Sequence, residues 1–314
     1  MRLSPERAMK ASSGYVFDIK RFATHDGEGI RTTLFLKGCP LRCAWCQNPE
    51  GLHPVPQLLY MESKCMHCGS CAAAAIHGGV SMQEGRVKLV REAAEDWEGL
   101  LDLCPTGALR YDASRYRVAD IMREIKKDSA FFRYGGGVTL SGGEPLLQPA
   151  FALEILKACK AEGIHTTMES SLFAPQETLR QLLPYLDHVY ADLKVFDSAV
   201  HKAYTGVENA QILENIRYLL HSREIRDRVT IRTPLIPEMT ACRENIAAIA
   251  QFLHGCYEAV RYELLNYNPL AKAKYEYLDM EYCFDENPKL YTKEAMESFY
   301  RIARDQGIRN LIIE

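Results

Sequence analysis

The sequence has no excess of either charge: 38 Lys and Arg stand against 41 Asp and Glu, a formal net charge of −3 over 314 residues. Without a basic field, neither nucleic acid nor an anionic lipid surface is an expected partner. No apolar run approaches the roughly 18 residues that a membrane-spanning helix requires. The opening MRLSPERAMKASSGYVF lacks the apolar stretch of a secretory leader, so a cytoplasmic location without membrane association is expected. Low-complexity tracts and repeats of solenoid or propeller length are missing too. No GxGxxG follows the first predicted strand, which removes the usual dinucleotide fingerprint. With 47% hydrophobic and 25% charged residues, the composition excludes a disordered chain.

Cysteine is what the sequence has in surplus. The eleven are Cys39, Cys43, Cys46, Cys65, Cys68, Cys71, Cys104, Cys159, Cys242, Cys256 and Cys283. The first seven fall between positions 39 and 104. An odd total without an export signal makes a poor disulfide framework, and in a reducing compartment clustered thiols read as metal ligands.

Elsewhere hydrophobic residues recur with two periods. Val118, Ile121, Met122 and Ile125 form one helical face, and Ile212, Leu213, Ile216, Leu219 and Leu220 form another, with Asn209 as its candidate cap. A third, Ile246, Ile249, Ala250 and Leu253, is stopped by Gly255. A fourth, Met296, Phe299, Tyr300 and Ala303, is opened by Thr292 and closed by Gly307. One more helix is predicted over 149–162, ending at Gly163. β-rich runs lie at 32–38, 137–141, 164–169, 188–193, 229–233, 260–265 and 308–314. Strands alternating with helices predict βαβ units and a parallel sheet. Six or seven such units suit an α/β barrel, complete or partial, with a doubly wound open sheet as the alternative. The alternation breaks between about 50 and 115, where four cysteines and the turn-rich IHGGVSMQEG indicate a small inserted domain.

GCPLRCAWCQNPEG places Cys39, Cys43 and Cys46 in C-x3-C-x2-C spacing on a loop directly after the strand TTLFLKG. Three thiolates this close can surround one metal centre. A 4Fe–4S cluster is normally held by four, so three leave one iron open to a ligand, as a catalytic zinc keeps a position that a structural zinc closes. Spacing alone leaves open a zinc knuckle completed by His25 or His53.

The same motif, with Trp45 before its last cysteine, resembles that of the radical S-adenosylmethionine (SAM) superfamily. The longer string RFATHDGEGIRTTLFLKGCPLRCAWCQNPEG (21–51) is similar to the activating enzymes of glycyl radical enzymes, and the likeness continues through LSGGEP, ADLK and RTPLIPE, from about residue 15 to 280. It implies an α/β fold: a partial (β/α)6 TIM-like barrel of residues 15–52 and 115–314, with residues 53–114 as a small ferredoxin-like iron–sulfur insert.

Within that insert, CMHCGSC supplies Cys65, Cys68 and Cys71, and CPTGAL supplies Cys104 before Pro105. Two-cluster ferredoxins use C-x2-C-x2-C-x3-C-P twice, each fourth cysteine serving the other cluster. Here the first run's own fourth position is Ala75, and the three positions counted back from Cys104 are Ala94, Trp97 and Leu100. All four ligands of one cluster are missing and all four of the other remain. One auxiliary 4Fe–4S cluster is expected, where relatives with this insert commonly carry two; zinc on the same thiols is the alternative. Such a cluster either admits electrons or staples a domain too small to build its own core.

The resemblance assigns further residues. Gly142, Gly143 and Glu144 of SGGEP form the loop that holds the methionine amine of SAM, the glycines permitting close backbone approach. Glu169 and Ser170, Asp192 and Lys194, and Arg232 lie where predicted strands end, and strand C-termini of a parallel barrel share one face. Lys194 and Arg232 suit the methionine carboxylate. Asp192 with Glu169 suits the amine or ribose and, by family analogy, a monovalent cation. LLNYNPLAKAKY (264–275) resembles a segment near the adenine that often reads Leu-Pro-Tyr-His, with Asn266 and Asn268 in the Pro and His places. Trp45 is placed beside the cofactor. Asp26 and Arg31 of HDGEGIR are candidate contacts to the peptide substrate or the cofactor, the plainer alternative being a turn. Cys159, Cys242, Cys256 and Cys283 have no ligand spacing and read as core or surface thiols.

The implied reaction is one-electron reductive cleavage of SAM at the iron held by Cys39, Cys43 and Cys46. It yields methionine and a 5′-deoxyadenosyl radical, which takes a hydrogen from a glycine α-carbon in a partner glycyl radical enzyme (a dehydratase, lyase or decarboxylase). A flavodoxin or ferredoxin is the expected electron donor. Two other classes fit parts of the pattern: a radical SAM enzyme acting on a small molecule or peptide, and an iron–sulfur electron carrier. The latter has no use for Glu144, Asp192 and Lys194 beside a three-cysteine site.

Overall fold

Alternation of period two builds thirteen strands among the described residues, which in this computed structural model are 13–286 and 288–313. Residues 1–12, including most of the segment read above for a leader, lie outside the described residues, as do Asn287 and Glu314, the end of the last predicted strand. The strands are β1 (Ser13–Ala23), β2 (Arg31–Leu36), β3 (Leu58–Tyr60), β4 (Val80–Gln83), β5 (Arg86–Leu89), β6 (Leu109–Tyr111), β7 (Ser114–Arg117), β8 (Gly137–Gly142), β9 (His165–Ser170), β10 (His188–Asp192), β11 (Val229–Pro234), β12 (Arg261–Leu265) and β13 (Asn310–Ile312).

Nine of them form one sheet in the order β13-β12-β11-β10-β9-β8-β2-β1-β7. From β2 through β13 every neighbouring pair is parallel. The parallel strands follow one another in chain order with no reversal, which is barrel winding, whereas a doubly wound sheet has a switch point. The sheet keeps two edges, β13 and β7, so the barrel is partial. β1, antiparallel to both β2 and β7, and β7 are additions that the search for helix–strand alternation does not detect. The Gln148 side chain sews β1 on: it accepts from Tyr15 N (2.9 Å) and donates to Tyr15 O (2.9 Å) and Lys37 O (2.8 Å).

The outward strand residues Leu34, Val138, Leu140, Met168, Val189, Ile231 and Tyr262 share one apolar core with the inner faces of the helices Val118–Lys126, Pro149–Ala161, Ala210–His221, Arg243–Cys256 and Lys293–Asp305. Thr292 caps its helix as expected, accepting from Ala295 N at 3.3 Å. Asn209 precedes its helix but does not accept from it. Its amide instead donates to the carbonyls of Val195 (3.0 Å) and Phe196 (2.7 Å), pinning the loop after β10. The opposite strand face carries Thr33, Thr139, Ser141, Thr167, Glu169, Tyr190, Arg232 and Glu263. Barrels of this type usually fill that space with branched apolar side chains; here it is lined with hydrogen-bonding groups.

Between β2 and β7, two small antiparallel pairs stand apart from the large sheet, β3 with β6 and β4 with β5. Val80, Val87, Leu100 and Leu109 make a separate apolar cluster, with Trp97, Cys65, Cys71 and Cys104 packed against it. Two positions where a second cluster's thiols would stand, Trp97 and Leu100, are thus part of this little core. No helix of the described residues is long and apolar enough to cross a membrane.

Candidate active site

The loop after β2 carries Cys39, Cys43 and Cys46. Its base is closed by backbone bonds from Gly38 N to Gly51 O (2.8 Å) and Cys39 N to Leu52 O (3.2 Å), and its tip is held by Arg42 N to Thr205 O (2.7 Å) and Ala44 N to Tyr204 O (3.0 Å). Trp45, 3% exposed, packs with Val195, Ile236 and Tyr267. Its indole wedges the loop onto the barrel.

Burial pushes all three thiols up, Cys46 to about 12, and each of Cys39 and Cys46 is raised further by neighbouring cysteines of the set. Such thiols ionise only against a strong local cation, which an iron centre supplies; the donor set suits a thiolate-bound cluster. Among the described residues no three His, Cys, Asp or Glu side chains are gathered tightly enough for a single metal ion.

The SGGEP loop lies flat on the base of the cysteine loop, with Gly143 N bonded to Leu36 O (2.8 Å) and Glu144 N to Gly38 O (2.7 Å). Gly142 has φ +109°, and a Cβ on Gly143 would stand 2.3 Å from Gly38 O, so only glycine fits there. Glu144 is fully buried. Its Oε1 accepts from Leu146 N (3.1 Å) and Ser170 Oγ (2.7 Å), and its Oε2 from Ser171 N (2.8 Å) and Ser171 Oγ (2.6 Å). Four bonds use a carboxylate's acceptor sites. Glu144 and Ser170 therefore tie the end of β8 to the end of β9.

Arg232 is likewise bonded within the strand wall. Its Nε donates to Glu263 Oε2 and its Nη1 to Glu169 Oε1, both at 2.6 Å, while its guanidinium stacks 3.4 Å from the Tyr190 ring centroid. Ser141 Oγ donates to the other Glu169 oxygen at 2.6 Å. Burial disfavours the guanidinium charge, but the two carboxylates outweigh it and hold Arg232 above its ordinary value. Lys194 is the predicted cation that reaches the cysteines: burial opposes its charge, and Asp192, its ion-pair partner, together with Cys43 and Cys39, holds it up.

Arg31 is wholly buried, with Nε on Thr139 Oγ1 (2.6 Å), Nη2 on Val138 O (2.7 Å) and Nη1 on Glu28 O (3.1 Å). Desolvation lowers its pKa to about 10. It braces the start of β2 from within. Asp26 accepts from Thr33 Oγ1 at 2.6 Å and lies within electrostatic range of Glu169.

The segment resembling an adenine contact lies against the far side of the cysteine loop. Tyr275 donates to Cys46 O (3.0 Å) and Gln47 Nε2 to Asn268 O (3.0 Å). Asn268 is exposed, its Oδ1 accepting from Leu270 N at 3.0 Å. Asn266, in the place of the family's proline, clamps Tyr291 through both backbone groups, each at 2.9 Å.

Of the second thiol set, Cys68 is exposed and the others half-buried. Cys104 is electrostatically coupled to Cys68 and Cys71, and Cys71 to Cys65. Burial would raise Cys104, yet backbone N–H groups of Leu109, Thr106 and Ala108 and the Thr106 hydroxyl bring it below its ordinary value. Donors aimed at sulfur stabilise thiolates in iron–sulfur sites. Sequence reasoning missed Lys37, Glu50, Asp112 and Tyr275 around the first loop; a lone lysine ending the apolar run TTLFL was the available signal.

Residues 33–253 match the radical SAM superfamily. The chain is 39% identical over 277 residues to the indoleacetate decarboxylase activating enzyme of Tractidigestivibacter scatoligenes, covering 85% of this chain and 87% of that one. It is 40% identical over 278 residues to the (2S)-3-sulfopropanediol sulfolyase activating enzyme of Bilophila wadsworthia, covering 87% and 91%. With the 4-hydroxyphenylacetate decarboxylase activating enzyme of Clostridioides difficile it shares 34% identity over 309 residues, 96% of each chain. The structure of Streptococcus suis SuiB bound to precursor peptide SuiA aligns with 88% of this chain and 46% of that chain at a TM-score of 0.51 and 15% identity, a likeness of fold alone. By these matches and by its three-cysteine loop, the chain belongs to the radical SAM superfamily and, within it, to the activating enzymes of glycyl radical enzymes.

Proposed function

We propose that Cys39, Cys43 and Cys46 hold a 4Fe–4S cluster with one iron left for SAM, and that residues 53–114 are a domain in which Cys65, Cys68, Cys71 and Cys104 hold one auxiliary 4Fe–4S cluster. When bound, cluster and SAM supply reductive C–S cleavage to a 5′-deoxyadenosyl radical able to take a hydrogen from a partner's glycine α-carbon. The observation that carries this is the juxtaposition of three half-buried thiols with Lys194 and the double-glycine loop.

Lys194 orients the methionine carboxylate beside Cys43, and Asp192 takes the amine or ribose and provides the place for a monovalent cation. The Gly142–Gly143 backbone supplies polar contact without side-chain bulk. Asn268 lies where the adenine edge would be read, and Asp26 borders the lumen that a glycine-bearing loop enters. Two open sheet edges suit a substrate that is itself a protein. A flavodoxin or ferredoxin delivers the electron, and the auxiliary cluster either relays it or supports the insert. The position of Trp97 and Leu100 in the insert's core favours one auxiliary cluster over two.

The test is anaerobic reconstitution with iron, sulfide, reductant and SAM, alone and with candidate partner decarboxylases, lyases and dehydratases. Formation of 5′-deoxyadenosine and a glycyl radical signal on one partner are expected; unconsumed SAM would end the proposal. Cys104→Ser should lower the iron content by about four per chain while the SAM-responsive cluster stays loaded. Unchanged iron would contradict the ligand set.

A further inference from the structure

Lys37, two residues before Cys39, has a side chain with no solvent exposure, and neither has its partner Asp112. The ammonium donates to Asp112 Oδ2 at 2.7 Å and to Glu50 O at 2.6 Å. Asp112 and Gln57 close the base of the insert: Gln57 N donates to Asp112 Oδ1, and Asp112 N to Gln57 O, both at 2.9 Å. Glu50 ends the other arm of the cysteine loop. Its carboxylate pairs with Lys274 at 2.7 Å, and that same ammonium reaches Asn48 Oδ1 at 2.9 Å, two residues past Cys46. Polar contacts therefore run from the insert's base, through Lys37 and the Glu50 carbonyl, to both arms of the loop.

A buried ion pair is a poor device for stability alone, since apolar residues of similar volume often do as well or better. What it adds is direction: an ammonium accepts only a few geometries for two oxygens at once. We propose that Lys37 is a positioning residue for the first cluster, its ammonium fixing the Glu50 carbonyl and hence the span of the loop between Cys39 and Cys46 against the closed base of the insert. The inference rests on reading those cysteines as a cluster site, and it gives the insert a mechanical tie to the reaction whatever its own cluster carries.

The double variant Lys37→Met, Asp112→Leu removes both charges and leaves neither unpaired. If the pair serves stability only, the variant keeps the parent's spectrum and KM whatever its melting temperature. If Lys37 positions the loop, the variant melts like the parent and keeps its iron, but the SAM-induced change in the reduced-cluster electron paramagnetic resonance spectrum is altered and KM for SAM rises about 10-fold. A variant with the parent's spectrum and KM overturns the inference. Should the double variant not fold, Asp112→Asn is read by the same spectrum, with a smaller change in the same direction expected and an unchanged spectrum again overturning it. A parent protein whose reduced spectrum ignores SAM refutes the first-cluster reading, and this inference with it.

Discussion

Cys43→Ala is expected to abolish 5′-deoxyadenosine formation, a loss of at least about 100-fold given that even outer-sphere partners of a metal commonly matter 10- to 100-fold. The proposed ligand set has three thiols and no spare. His53, a conceivable substitute, is exposed and turned to its own loop, where its Nδ1 lies 3.2 Å from Val55 O. The same outcome is expected at Cys39 and Cys46. The variants should stay folded, because Trp45, the Gly38–Gly51 bond and the SGGEP contacts anchor the loop independently of the thiols. Anaerobic turnover followed by chromatography decides it: product at more than a few per cent of the parent's rate would mean that another residue completes the site.

Arg232→Leu should produce the largest loss of stability, about 3–5 kcal/mol, the usual consequence of stranding the partners of a buried charge. Glu169 and Glu263 would face each other across the lumen without their shared cation. The pH dependence follows. Burial already pushes the Glu169 carboxyl up, and Arg232 is the chief influence opposing it. Without the guanidinium the folded state holds that proton more tightly than the unfolded state, whose glutamate pKa is about 4.3. Where the native form binds more protons, stability falls as pH rises. The melting-temperature deficit of the variant should therefore be larger near pH 8 than near pH 5. Equal deficits would show that Glu169 does not depend on Arg232 for its charge. Arg232→Lys, which keeps the charge but not the fork, should recover part of the loss at both pH values.

The parallel strands were legible because apolar outward residues alternate with polar lumen residues, and the principal helices because each buries one face, so the period is written in local sequence. The cysteine loops were legible for a similar reason: chelation constrains spacing within a few residues. What could not be read depends on which strand ends meet. Arg232 is as exposed to inspection in TIRT as Lys194 is in ADLK, yet Glu263, 31 positions on, claims its Nε. Glu144 looked free because Ser170 and Ser171, its partners, arrive from the next strand. Asp112 gives no local hint of Lys37, 75 residues earlier. Arg31 sits in a conspicuous polar motif, but its strand turns it inward. β1 and β7 escaped because strands added antiparallel need no crossover helix to betray them.

Because the concave wall of the sheet is built from threonines, serines and paired charges, the cohesion of the scaffold rests on its outer shell. Substitutions among its threonines and serines, away from the ion pairs of Arg232 with Glu169 and Glu263, can thus alter which visiting polypeptide is accommodated without loosening the molecule. Relatives that share this architecture and serve decarboxylases, a sulfolyase and a dehydratase are what such a division of labour permits: one durable vault, refurnished inside for each client.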